Sequence, residues 1–578
     1  MLATYTYPRF AYQRPAALDT PHTVPRHPVI VVGAGPVGLS AAIDLAMQGV
    51  SVLLLDDDDT VSVGSRGLCY AKRTLEILDR LGCGDAVVDR GVTWNVGRTF
   101  FGRDEVFRFN LLPESDHHRP GMVNLQQYHL EEALVRRASQ LPNLTLSWKH
   151  KVTDVTPADD GVRLEVETPD GAFRVDADWL IVADGARSPI RRKLGLDIDG
   201  KVFQDRFLIA DVVMKADFPA ERWFWFDPPF HPGQSVHASQ GTPACTSVLL
   251  HREADNVWRI DFQLGWDADP EAEKQPERVI PRIRAMLGEA HAFELEWVSV
   301  YTFQCRRMQK FRHGRVLFVG DAAHQVSPFG ARGANSGIQD ADNLAWKLKF
   351  VMEGLAPDTL LDTYSDERVA AADENLLNST RSTDFITPKS AVSKDFRNAV
   401  LTLAGEHPFA RALVNSGRLS VPTHLNDSSL NTPDTEVFAG VMAPGAPLDD
   451  APVHAVVGDG SVQPDWLLQH TGHRFVLMLF CDEPAALDAA QREAIGALAQ
   501  ERIPVRTLVV ARRVRPPLAG AGGDIDAVID IKGLAAQRCD AQPGTAYLLR
   551  PDQHVAARWR RFDAQAVRRA VARATAQA

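Results

Sequence analysis

The stretch that most constrains this chain is Gly33-Ala34-Gly35-Pro36-Val37-Gly38, which lies between an apolar run ending at Val32 and a segment, 39–48, with helical spacing. A second apolar run, 52–55, follows and ends at Asp56. Strand, tight turn, helix and strand within about thirty residues commit the start of the chain to a parallel sheet, because parallel neighbours need a crossover. The glycines let backbone N–H groups approach a pyrophosphate, whose charge the helix N-terminus stabilises. Asp56 stands where a carboxylate accepts a ribose hydroxyl. A plain tight turn is the bland alternative, and the motif alone does not separate NAD from FAD.

The rest of the chain is organised around that unit. Its 578 residues correspond to about three to five domains. The composition, 45% hydrophobic and 24% charged, is that of a globular protein. With 63 Lys and Arg against 74 Asp and Glu and no long basic block, nothing marks a nucleic-acid footprint. No apolar run approaches the ~20 residues of a membrane span, and the opening residues lack a secretion signal, so the reading is a cytoplasmic protein. Six scattered cysteines without C-x-x-C argue against a disulfide framework or a thiolate metal site, and no metal is expected.

Alternating segments from Val152, with a Pro169-Asp170-Gly171 turn, predict an antiparallel insertion. A stretch rich in aromatic and alternating residues, including Trp223, Trp225, Trp258 and Phe262, predicts a mostly β second domain. An amphipathic helix is predicted from about Ser336 to Met352, and prolines and turn residues over 426–452 predict a linker.

Two further motifs follow buried strands. Asp184-Gly185-Ala186-Arg187-Ser188 is one, and Gly320-Asp321-Ala322-Ala323-His324, trailed by Pro328-Phe329-Gly330-Ala331-Arg332-Gly333-Ala334-Asn335, is the other. With the opening motif, and with Arg66-Gly67-Leu68, Gln127 and Ile338-Gln339-Asp340-Ala341, they resemble the class A flavoprotein aromatic hydroxylases over about the first 420 residues. The resemblance implies an α/β protein in which a Rossmann-like FAD-binding domain of the para-hydroxybenzoate hydroxylase type is interleaved with a β substrate domain. The expected division is 1–205 for the first FAD-binding part with an insertion near 100–175, 206–302 for the substrate domain, 303–425 for the second FAD-binding part, 426–452 for the linker and 453–578 for the tail.

The resemblance further implies that Gly33, Gly35, Pro36, Val37, Gly38, Asp56, Arg66, Gln127, Asp184, Gly185, Gly320 and Asp321 bind FAD, with Asp321 on its ribityl chain. Pro328, Gly330, Gly333, Ala334 and Asn335 would meet the flavin pyrimidine edge, where a helix N-terminus stabilises the negative charge of the reduced ring. Arg332 stands where the commoner family loop has glutamine, and adds a cation near flavin or substrate. NADH or NADPH would reduce FAD and O2 would be the co-substrate, with hydroxyl transfer through a C4a-hydroperoxyflavin to a phenolic or related ring. Trp223, Trp225 and Pro328 are candidates for substrate contact, and His231, His237 and Arg259 lie in the same middle region. Of these, His237 is a candidate base and Arg259 a candidate carboxylate clamp, against core packing, a structural histidine and a surface ion pair as the ordinary alternatives.

Three other functions stay open at this point. One is a Baeyer-Villiger or epoxidising oxygenase of a polyketide-like substrate, and another is a flavin-binding interaction protein. A flavin disulfide reductase needs a close cysteine pair, and Cys69 and Cys83 are too far apart in sequence. The tail, from its Gly544–Trp559 stretch, resembles the thioredoxin-like C-terminal domain of the phenol hydroxylase branch. Cys481 has no second cysteine near it, so dithiol chemistry is disfavoured. A small aromatic substrate is the expected partner, and the chain is compatible with a homodimer.

Overall fold

The computed structural model describes residues 4–20, 22–228, 247–288, 291–415, 419–456, 461–484, 487–513 and 525–578. His231 and His237 lie outside the described residues. Three large sheets organise the chain.

The first sheet carries the nucleotide motif. Its strands run Arg312–His313, Val316–Phe318, Gly171–Val182, Arg26–Val32, Val52–Leu55 and Leu144–Ser147, the last five mutually parallel. Val29 to Val32 and Val52 to Leu55 are buried without alternation, because helices cover both faces of a parallel sheet. The register aligns Val32 with Leu55 on one side and with Val182 on the other, and Val182 with Phe318. The chain therefore leaves four adjacent strands at one level, at Gly33, Asp56, Ala183 and Val319.

The insertion expected near 100–175 is split. Lys151–Ala158 and Gly161–Thr168 form an antiparallel extension of Gly171–Val182, as the alternation predicts. Val96–Phe101 and Asp104–Asn110 instead join the second sheet, where Val96–Phe101 pairs in parallel with Arg222–Phe226. Short alternating strands carry no label of the sheet they will join, so only long-range pairing decides this.

The second sheet orders His324–Gln325, Phe293–Arg307, Asp199–Met214, Val257–Gly265, Ser247–Arg252, Arg222–Phe226, Val96–Phe101 and Asp104–Asn110. Both of its faces are covered. Leu208, Ala210, Val212, Val248, Leu250, Trp258, Ile260 and Phe262 pack with Val279 and Ile283 of the helix Pro276–Leu287. The opposite face presents Phe207, Phe224, Phe226, Leu249 and Phe303 to Phe329, Ile386 and Leu401 of the nucleotide-binding part.

The third sheet, in the order Val462–Trp466, Pro452–Val456, Ile525–Ile529, Val505–Ala511, Phe475–Cys481, Ala546–Leu549 and Val555–Trp559, builds the C-terminal unit. Its centre is a parallel β-α-β crossover followed by an antiparallel hairpin and the helix Ala564–Ala574. The stretch 426–452 is no free linker. Thr432, Gly445 and Leu448 donate backbone hydrogen bonds to Ala556, Val555 and Gln553, and Leu430, Met442 and Leu448 are buried. Its prolines and turns mark an irregular layer packed on the sheet rather than a spacer. Trp346 and Phe350, on the helix Gly333–Met352, pack against Phe475 at ring separations of 6.0 and 6.1 Å, so the unit shares a core with the nucleotide-binding part.

Candidate active site

Two helix N-termini converge on one cleft at the carboxyl edge of the first sheet. Helix Pro36–Met47 begins after the glycine turn, and helix Gly333–Met352 begins after the 328–332 loop. Gly33 has φ +107°, and a Cβ there would lie 2.4 Å from the Ala183 carbonyl oxygen. A Cβ at Gly38 would lie 1.9 Å from the Gly33 oxygen, and one at Gly337 would lie 2.6 Å from Val37. These contacts need bare backbone. Gly35 differs: no heavy atom lies within 4 Å of an added Cβ, so the turn opens onto free space there.

Acidic side chains follow the strand ends. Asp56 accepts hydrogen bonds from the amides of Ala34 and Asp58, tying the glycine turn to the next strand, and burial raises its pKa. Asp184 accepts from the Ile190 amide, while its other oxygen is buried with no hydrogen-bond partner; burial raises this group too. Asp321 and Arg66 have exposed side chains that make no hydrogen bond or ion pair among the described residues. They attract one another through space, yet desolvation in the cleft is the larger effect and raises the Asp321 pKa. Gly185 and Gly320 turn the chain beside them, with φ of +78° and +59°.

Asp340, which in the sequence is only one member of the Ile338–Ala341 motif, is the buried hub of this turn. One oxygen accepts from the Gly320 amide at 2.9 Å and meets His324 Nε2 at 2.6 Å, and the other meets Arg368 Nε at 2.7 Å. Burial alone would raise its pKa, but His324 and Arg368 outweigh it and hold the carboxyl below the ordinary range. Its role is invisible in sequence because its partners lie 16 to 28 residues away.

The 328–335 loop is anchored from outside the cleft. Asn335 accepts from the Ala71 amide and donates to the Cys69 carbonyl, so its side chain holds the loop and leaves only backbone for a ligand. Arg332 is not an entrance cation: it is 1% exposed and donates to Asn375 Oδ1 at 2.6 Å. A guanidinium in a crowded loop turns to the nearest buried acceptor, here on helix Leu360–Ile386. Pro328 is exposed at the tip, and Gly330, Gly333 and Ala334 follow it toward the helix start, where an added Cβ on Gly333 would lie 3.9 Å from Asp321 Oδ1. Gln127 supports the chain just after Arg66, accepting from the Gly67 amide at 2.8 Å and donating to Glu131 at 2.8 Å.

Three other expectations are corrected. Trp223 and Trp225 point to the sheet face under helix Pro276–Leu287, with Trp225 stacked on Phe100. Arg222, Phe224 and Phe226 of the same strand take the face toward the loop. Alternation shows that residues share a face but not which face meets the partner when both are covered. Arg259 is neither a surface ion pair nor a free clamp. It is 3% exposed, forks onto Asp211 with two bonds of 2.8 Å, and donates to the Ser65 carbonyl, fastening the sheet to the segment before Arg66.

The donor set fits FAD. Gly33, Asp56, Asp184 and Asp321 lie along four neighbouring strand ends, and three strand spacings give a cleft roughly 15 Å long. The open space at Gly35, the orphaned Asp184 oxygen and the unpartnered Asp321 and Arg66 suit a pyrophosphate flanked by hydroxyl-bearing chains. No membrane-spanning helix and no cluster of three or more His, Cys, Asp or Glu arranged for a metal occurs among the described residues.

Residues 26–379 match the FAD binding domain family. The chain belongs to the FAD-dependent aromatic hydroxylases. Residues 456–574 of the hydroxylase match the HcaD C-terminal domain. It is 32% identical to 6-methylpretetramide 4-monooxygenase of Streptomyces rimosus, covering 92% of this chain and 91% of the relative. It is 27% identical to the 3-(3-hydroxy-phenyl)propionate/3-hydroxycinnamic acid hydroxylase of Mycolicibacterium smegmatis, over 91% of this chain and 90% of the other. In fold it is similar to the crystal structure of the flavin-dependent monooxygenase PieE, with a TM-score of 0.76, 24% identity, and coverage of 96% of this chain and 99% of that one.

Proposed function

We propose that this hydroxylase adds one oxygen atom to a phenolic ring held between the 328–335 loop and the loop-facing side of the second sheet. The observation that carries this is the aromatic wall there. Phe207 and Phe329 meet edge to face at 5.0 Å, Phe303 and Phe329 at 5.2 Å, and Phe224 and Phe226 extend the wall. These rings are buried against one another, so the seam between loop and sheet is dry and apolar, which suits an aromatic substrate beside it and keeps water from the reacting atoms. The name of the Mycolicibacterium smegmatis relative supports a phenol over a ketone or alkene, and so favours ring hydroxylation over Baeyer-Villiger or epoxidising chemistry.

Bound FAD supplies electron transfer from NADH or NADPH and the activation of O2. The chain's own residues bind and orient it. Backbone amides of the 33–38 turn would hold the pyrophosphate, Asp56 and Asp184 would accept hydroxyls, Asp321 would hold the ribityl chain, and Arg66 would close the cleft. Backbone from Pro328 to Asn335, at the start of helix Gly333–Met352, would hold the flavin ring where a helix N-terminus favours negative charge. The expected result is that one or more members of a phenol panel accelerate NAD(P)H oxidation and leave a product one oxygen heavier. A panel without such stimulation, in enzyme with full FAD occupancy, would refute the phenolic reading.

The C-terminal unit is read as a thioredoxin-like fold in a structural role. Cys481 is buried with its pKa raised to about 11, which leaves little nucleophilic thiolate. The need for NAD(P)H supports a cytoplasmic enzyme. A homodimer through helix Ala391–Glu406 is supported by its exposed Val392, Phe396 and Leu403 at helical spacing, continued by Phe409 and Leu413. Light scattering should find a dimer, and Phe396→Lys combined with Phe409→Lys should leave a monomer that keeps its FAD. A wild-type monomer would refute this interface.

A further inference from the structure

The loop-facing side of the second sheet carries polar groups whose bonding is unfinished. Phe207 pairs across the sheet with Gln263, and Phe207 is the ring that touches Phe329 of the loop. Four residues earlier on the same strand, Arg259 reaches the Ser65 carbonyl. These are two contacts between the sheet and the FAD-binding part. Asp261 lies midway between them on the same face, opposite Ile209 and Leu249.

Asp261 is the one residue of the strand Val257–Gly265 that is only half-buried on this face. Its side chain is 18% exposed, against 4% for Arg259. One of its oxygens is buried without a hydrogen-bond partner, and the other lies 3.9 Å from His251 Nε2, too far for a hydrogen bond. His251 Nδ1 is also unpartnered. Arg222, 5% exposed, makes no hydrogen bond or ion pair among the described residues. A carboxylate, an imidazole and a guanidinium with free bonding capacity thus share one face beside an aromatic wall. Buried polar groups are ordinarily satisfied, so such a cluster calls for a ligand.

We infer that Asp261 is the base that accepts the phenolic proton of the substrate, with Arg222 holding the phenolate and His251 positioning the carboxylate. The inference rests on the phenolic reading above. The step is a proton transfer alone: the substrate O–H bond breaks, an O–H bond forms on Asp261, and the electron pair stays on the phenolate oxygen beside Arg222. An ionised oxygen makes the ring carbon more electron-rich, which is what transfer of an electrophilic oxygen needs.

The groups around Asp261 are His251 on the adjacent strand, Arg222 on the strand beyond that, Arg259 on its own strand and Asp211 on the strand at its other side, with Glu253 and Cys69 next to them. Burial raises the Asp261 pKa to about 7, against the pull of Arg259 and Arg222. Burial also holds His251 well below its ordinary value, so it is neutral. Asp261 is therefore the group that exchanges a proton near neutrality.

The probe is 4-nitrophenol, a phenol that ionises near neutrality and is coloured when ionised, bound to FAD-loaded full-length enzyme. Above pH 7 both Asp261 and the free ligand are ionised, while the complex carries one shared proton. Binding then takes up a proton, and wild-type Kd rises about tenfold per pH unit. In Asp261→Asn no proton is taken up, so Kd is flat across the same range, and substrate turnover falls about 10²–10⁴-fold. Arg222→Met weakens binding about tenfold or more at every pH. Asp261→Glu restores the wild-type slope. The same pH slope in wild type and Asp261→Asn overturns the inference. Failure of the wild type to bind or hydroxylate any phenol overturns the phenolic reading itself, which is a separate result.

Discussion

Arg550→Met is expected to remove about 3–5 kcal/mol of stability, because it takes away the arginine that two buried carboxylates share. Arg550 has no exposed side-chain surface. It forks onto Glu367 with bonds of 2.7 and 3.0 Å and onto Asp552 with bonds of 3.0 and 2.5 Å. Glu367, from the long helix Leu360–Ile386, also binds Lys347 at 2.7 Å, and Asp552 accepts from Trp346 Nε1. Arg73 joins the same interface by donating to Gln553 and to the Asp552 carbonyl.

The expected readout is a fall in the denaturant midpoint with weakened cohesion between the two parts. Glu367→Gln added to Arg550→Met should cost much less than the sum of the two single changes, because it removes a charge that the first change stranded. A loss below about 1 kcal/mol for Arg550→Met would put the network in the class of surface pairs and refute the argument. The pH dependence has a defined sign. Burial pushes the Glu367 pKa up, but Arg550 and Lys347 outweigh it and hold it below its ordinary 4.5. That stabilisation is complete above pH 4.5 and is lost as pH falls below it. Lys347 acts in the other direction. Burial lowers its pKa from 10.5 to about 8, so the unfolded chain binds the extra proton between those values and stability rises with pH there.

Gly35→Val should give a folded protein without flavin. A Cβ at Gly35 meets no heavy atom within 4 Å, and its φ of −72° suits any residue, so the chain itself has no reason to rearrange. The added side chain fills the space above the helix N-terminus that the pyrophosphate requires. Loss of two charge-assisted backbone hydrogen bonds corresponds to about 10²–10⁴ in FAD affinity. Gly38→Val is the contrasting variant: its Cβ would collide with the Gly33 carbonyl, so it should fail to accumulate as folded protein. Flavin absorbance per folded chain, with circular dichroism as the control, separates the two. A Gly35→Val protein that purifies with full FAD would refute the assignment of this turn to the pyrophosphate.

The cofactor cleft was legible because each part is local. Gly33 to Gly38, Asp56, Asp184 and Asp321 each stand at the end of an apolar strand, and the rule that ligands gather at the carboxyl ends of parallel strands brings them together. The substrate side was not legible for an equally physical reason. Trp223 and Arg222 are neighbours on one strand, and alternation alone assigns them to opposite faces without saying which face meets the 328–335 loop. Arg259 and Asp261 share a face, yet one is saturated by Asp211 and Ser65 while the other is left open, a difference set by partners about 50 and 194 residues away.

By itself, then, the sequence determined the nucleotide-binding unit, its family and the absence of a dithiol in the tail, because these depend on residues close together along the chain. The tertiary structure alone decided that Arg332 is a buried anchor, that 426–452 is part of the C-terminal unit, and that Asp261 is left half-buried and without a hydrogen-bond partner. Burial, charge pairing and the choice of face depend on which distant segments arrive alongside, and only the folded chain brings them there.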